Sequence, residues 1–93
     1  MQLSNAVRQR IVNLLVSNNL SIKELSRISN VSYASLISFM ENRTKVLRLT
    51  NLYLICMGLK MDLVDFFDDD LFNDALDERE KTKVKYNSEK SNE

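Results

Sequence analysis

Side chains able to do covalent or metal chemistry are scarce in this chain. It has no histidine, and its one cysteine, Cys56, therefore has neither a zinc partner set nor an imidazole base. The run Asp68, Asp69, Asp70 comes nearest to a divalent-cation site. Consecutive carboxylates on a helix diverge, however, and no phosphate-cradling loop accompanies them, so a solvated acidic run is expected. Neither a metal nor a cofactor is expected, and without a convergent carboxylate pair no catalytic constellation assembles.

Hydroxyls and cations are better placed. The stretch "NVSYASLISFMENRT", Asn30 to Thr44, sets Ser32, Tyr33, Ser35 and Ser38 among Ala34 and Ile37, and Arg43, Lys45 and Arg48 follow closely. Hydroxyls can bond base edges or phosphate, small apolar groups can pack on thymine methyls, and cations neutralise phosphates. The formal net charge is zero, but it divides unevenly. From Met1 to Lys60 there are eight basic residues against two acidic ones, a surplus of six, and from Met61 to Glu93 five against eleven, a deficit of six. A polyanion responds to local charge, so the front of the chain suits one.

The elements that would position these groups are helical. Only one glycine and no proline are present, which removes the tight-turn chemistry of a β protein, and 93 residues with 44% hydrophobic content support one modest core. Val7, Ile11, Leu14 and Leu15 form one face of a first helix beginning near Ser4. Ser21 and Glu24 stand in capping-box spacing at the start of a second, with Leu25 and Ile28 inward. Asn30 tolerates the left-handed backbone of a sharp turn, and Ser32 then caps a third helix with Leu36, Phe39 and Met40 inward. Thr50 is the expected cap of a fourth helix burying Leu52, Ile55, Cys56 and Leu59, and Asp62 that of a short fifth burying Leu63, Phe66 and Phe67. Leu71, Phe72 and Leu76 either continue that packing or form a dimer contact. The longest apolar run, Leu52 to Leu59, is far short of the roughly 20 residues a membrane helix needs, so a soluble cytoplasmic protein is expected.

Leu20 to Arg43, "LSIKELSRISNVSYASLISFMENR", resembles the Cro/repressor-type (XRE family) helix-turn-helix of bacterial and phage proteins, and Leu49 to Phe72 resembles the helix-4 and helix-5 module of its small members. The likeness covers about residues 1 to 72. It implies an all-α, compact five-helix repressor-like domain over 1–68; from composition, an acidic arm that can be helical is expected at 69–80 and a polar disordered tail at 81–93. It also implies a DNA-binding transcription regulator, a repressor acting as a homodimer on double-stranded DNA, with helix 3 (residues 32–41) in the major groove. By motif position Tyr33, Ala34 and Ser38 would read bases, with Ser35 and Ile37 at the edge. Ile22, Lys23, Ser32, Arg43, Lys45 and Arg48 would hold phosphates.

Three departures stand out. Ile22 replaces a phosphate-binding Gln, Asn30 replaces the turn glycine, and Lys60 stands where a glycine usually ends helix 4, with Gly58 two positions early. The reading positions also lack Arg, Asn and Gln, the bidentate readers of bases. Discrimination is thus expected to be weak per base, tilted toward T-containing steps and helped by DNA shape. The alternative keeps the fold and abandons base reading, as an antirepressor or regulatory partner that pairs through an Ile22/Ile37 face or the acidic C-terminal arm.

Overall fold

The computed structural model describes residues 1–75. It runs α1 (Leu3–Ser17), α2 (Ile22–Ser29), α3 (Tyr33–Met40), α4 (Leu49–Gly58), α5 (Leu63–Phe67) and a 3-10 turn at Asp70–Phe72. The expectations for Leu76, for the rest of the arm and for the tail lie outside the described residues. No helix among those described is long and apolar enough to cross a membrane.

One core joins the helices. Ile11 from α1, Leu25 from α2, Leu36 and Phe39 from α3, Ile55 and Cys56 from α4 and Phe66 from α5 are all fully buried. These are the positions that helical periodicity selects on each segment, and removing each such side chain from water contributes about 1.5–3 kcal/mol. Burial also pushes the Cys56 thiol up from its usual range.

How the helices end explains the missing glycines. At α1, α3 and α4 the chain turns back through Asn19, Asn42 and Lys60, all at φ between 55° and 63°. In each case the next amide reaches into the last turn: Leu20 N–H to Leu15 O at 2.9 Å, Arg43 N–H to Ser38 O at 2.8 Å, and Met61 N–H to Cys56 O at 2.9 Å. This is the Schellman arrangement, which satisfies carbonyls that a helix end leaves unpaired. Asparagine adopts this backbone with little strain, whereas the lysine at Lys60 does so with no side-chain hydrogen bond among the described residues to help it.

Gly58 serves a different purpose from ending the helix. A Cβ there would lie 3.0 Å from Ile28 O and 3.1 Å from Ser29 Cα, so the glycine lets α4 approach the backbone of α2.

Three details differ from the expected pattern. The fourth helix begins at Leu49, with extended Arg48 at its cap position and Leu52 N–H bonded to Arg48 O at 3.0 Å, so Thr50 lies inside the first turn. Phe67 is 40% exposed, because adjacent residues of a five-residue helix cannot both face inward and Phe66 takes that side. Phe67 instead meets the Phe66 and Phe72 rings edge-on, with centroids 5.2 and 4.9 Å apart. Finally, the acidic run starts within the packed unit: Asp69 bonds Arg10 at 3.2 Å and accepts the Leu71 amide at 2.9 Å.

Candidate nucleic-acid interface

The turn between α2 and α3 is held by serines. Ser21 caps α2 by accepting the Glu24 amide at 3.1 Å, while Glu24 Oε1 accepts the Ser21 amide at 2.8 Å. Asn30 at φ 63° reverses the chain. Ser26 Oγ donates to Val31 O at 2.6 Å, and Ser29 Oγ donates to Leu25 O at 2.6 Å while accepting the Val31 amide at 3.3 Å. Val31, buried beneath the turn, adds an apolar anchor. A turn bonded this densely fixes the angle between the two helices, which gives α3 a defined presentation to a partner.

On α3, Ser32 accepts the Ser35 amide at 3.1 Å and donates to Ser35 Oγ at 2.8 Å. Leu36 and Phe39 face the core, leaving Tyr33 (45% exposed), Ala34 and Ser35 outward and Ser38 and Ile37 half-buried beside them. The loop after α3 folds back on the helix end, since Ser38 O accepts the amides of both Arg43 and Thr44. Ala34, Ser38, Thr44, Arg48 and Asn51 thereby line one open notch of about 300 Å³. Asn51 was missed at the sequence level because it belongs to α4; only the folded-back loop brings its amide to α3, where it offers the donor–acceptor pair that the reading positions lack.

The flanking groups divide. Arg43, Lys45 and Arg48 are all exposed on the loop. Arg43 Nη2 pairs with Glu41 at 2.6 Å, and both side chains are more than half exposed, so the pair holds Arg43 by no more than about 1 kcal/mol. At the start of α2, Lys23 is exposed, but Ile22 is half-buried and packs against the core, in the groove lined by Val12, Leu20 and Met40. The expected outward position of Ile22 is thus corrected: the capped helix start turns its side chain toward α1. Glu24 sits at the same helix end. Its hydrogen bonds from the Ser21 backbone and side chain hold its carboxyl below the usual range, so a negative charge stands where a phosphate would approach.

Two cations of the basic half are structural. Arg8 is only 8% exposed; its Nε donates to Phe39 O at 2.6 Å, Nη2 to Thr44 O at 2.7 Å and Nη1 to Asn5 Oδ1 at 2.8 Å, and its guanidinium lies 4.5 Å from the Phe39 ring centre. Arg10 repeats the device on α5: Nε to Phe66 O at 2.8 Å, Nη2 to Asp65 O at 2.9 Å, and 5.8 Å from the Phe66 ring centre. Each arginine therefore caps the carbonyl end of another helix, where the helix dipole favours a cation. The only hint in the sequence is that both lie next to core positions of α1.

With Arg8 and Arg10 withdrawn, six cations remain before Met61 against Glu24 and Glu41. What the arrangement offers is an exposed hydroxyl-rich helix start, an amide-bearing notch and a cationic loop on one continuous surface. No protein-family model, curated protein or solved structure matches the chain.

Proposed function

We propose that this protein is a helix-turn-helix DNA-binding regulator of the repressor-like type, docking the start of α3 in the major groove. The observation that carries the reading is the pinned α2–α3 turn, which presents Tyr33, Ala34 and Ser35 outward with Arg48 and Asn51 on the adjoining notch. Ser32, Lys23, Arg43, Lys45 and Arg48 serve the phosphates in this reading, while Tyr33, Ala34, Ser35 and Ser38 meet base edges and Ile37 a thymine methyl. Ile22 contributes at most its backbone amide. Its packing against the core also takes away half of the apolar Ile22/Ile37 pair on which a purely protein-binding role would rest.

The test is selection of duplexes from a random library by the full chain, followed by binding of the winner and of scrambled DNA across salt. Four cations beside the face, Lys23, Arg43, Lys45 and Arg48, give an expected log–log salt slope of about −3.6 per protomer. Tyr33→Ala is expected to weaken the selected site more than scrambled DNA, and Arg43→Ala to weaken both alike and flatten the slope by about one. Absence of any enriched motif would remove the proposal.

A further inference from the structure

The helix α4 carries no charged residue between Leu49 and Gly58. Its inner side is used by Leu52, Ile55 and Cys56, yet Leu49, Tyr53 and Met57 recur every four residues on the outside, 70%, 51% and 58% exposed. Val46, 76% exposed, lies just before the helix on the loop that borders the α3 notch. Such spacing makes one continuous apolar stripe along the helix, open to solvent.

We propose that this stripe is a two-fold interface between copies of this chain. Together the four side chains expose roughly 500 Å², in the upper part of the range for the largest apolar patch on a monomer, which is often functional. Buried on both copies, they remove about 1,000 Å², the threshold of a biological interface and the size of a weak pair rather than a permanent one. The stripe is also self-complementary. With the two-fold axis at Tyr53, the α4 helices cross antiparallel, Tyr53 meets its own copy, and Leu49 of each copy meets Met57 of the other. The stripe itself is uncharged, and the exposed cations at its two ends, Arg48 and Lys60, which this register brings near each other across the axis, extend their charged heads into solvent, whereas a charged partner would find nothing on the stripe to complement it. The choice of a second copy rests on the DNA-binding reading, in which one half-site per protomer favours a two-fold pair. Continuity adds support, for Arg48 and Asn51 at the head of α4 belong to the notch beside α3, so the dimer surface and the reading surface share a helix.

The experiment is sedimentation equilibrium of the full chain without DNA, over a wide concentration range. Wild type is expected to show a monomer–dimer equilibrium in the micromolar range, and Tyr53→Glu to weaken it at least 100-fold with unchanged helical circular dichroism. Two double variants then test the register: Leu49→Lys with Met57→Lys, and Leu49→Glu with Met57→Glu. Each is expected to be monomeric alone, and an equimolar mixture to recover the dimer. A wild type that stays monomeric, a dimer indifferent to Tyr53→Glu, or a mixture that fails to pair overturns the proposal. All of these are read without DNA, so a failure here leaves the duplex selection to judge the DNA-binding reading separately.

Discussion

Replacing Arg8 by Met tests whether a cation counted on the surface is in fact a brace. The side chain keeps its length and its apolar stem against Phe39 but loses three hydrogen bonds and a cation–π contact. Each bond from a charged donor contributes about 1.5–3 kcal/mol net, and the ring contact about 1 kcal/mol. The loss is less than the sum. Phe39 O keeps the Asn42 amide at 3.1 Å, and the carbonyl of exposed Thr44 regains water. A destabilisation of about 2–4 kcal/mol follows, a large share of the roughly 5–14 kcal/mol expected of a chain this size. It lowers Tm by on the order of 10–25 °C. Urea unfolding followed by circular dichroism measures it, with Arg27→Met, at an exposed cation of α2, as a control expected within about 0.5 kcal/mol. Arg8→Lys should fall between, since an ammonium keeps the charge at the α3 end but not the fork that spans Phe39 and Thr44. A companion effect belongs to DNA: loosening Thr44 frees the loop carrying Arg43 to Arg48, which weakens all duplexes while leaving the salt slope unchanged. If Arg8→Met matches Arg27→Met in stability, or if it flattens the salt slope by one, the brace is refuted and Arg8 is a surface cation that meets phosphate.

Lys60→Gly removes the strain of a lysine at φ 59° and is expected to stabilise by about 0.5–1 kcal/mol, raising the urea midpoint at constant m-value; a destabilised variant would mean that the lysine makes a contact worth more than the strain. Glu24→Gln keeps the capping geometry but removes the anion, so DNA affinity at low salt is expected to rise about 2- to 5-fold, as titration of either selected or scrambled duplex would reveal. The same variant has a pH signature. The folded carboxyl titrates below its ordinary 4.5, so its contribution is present above that value and is lost as pH falls through the lower folded value, and the stability gap between wild type and variant should close in that acid window. Cys56, 1% exposed with its thiol pKa raised by burial, should react with a disulfide reagent only as fast as the chain opens; the raised value also means that stability holds below about pH 9 and falls above it, and Cys56→Ala should flatten that alkaline limb.

The features that could be read from sequence are those whose cause lies within a few residues. Ser21 with Glu24, Ser32 with Ser35, and Asn30 at the turn act over one helical turn, and the inward positions of α1 to α4 follow from a period of 3.6. What could not be read comes from partners far along the chain. Arg8 reaches Phe39 and Thr44, and Arg10 reaches Asp65, Phe66 and Asp69, separations of 31 to 59 residues that no local pattern encodes. The same long reach explains the early start of α4. Thr44 O is tied to Arg8 and the amides of Arg43 and Thr44 to Ser38 O, so the loop is drawn back along α3 and Arg48, not Thr50, becomes the extended residue at the helix start. Gly58 likewise owes its place to the α2 backbone packed against it, thirty residues away in sequence, and not to the end of its own helix.

These corrections act on function through charge. A surplus of six in the basic half shrinks to four once Arg8 and Arg10 are spent on helix ends, and Glu24 stands at the very helix start that was expected to welcome a phosphate. A single protomer therefore commands few phosphate contacts, and the outward side chains of α3 add hydroxyls rather than bidentate readers. In the proposed DNA-binding role, affinity of the order a regulator needs would then come from two protomers acting on one duplex, where linkage makes the second docking effectively intramolecular. The modest charge of the reading face and the uncharged stripe of α4 are, in this reading, two halves of one arrangement: the first leaves a monomer weak on DNA, and the second supplies the pairing that makes the weakness tolerable.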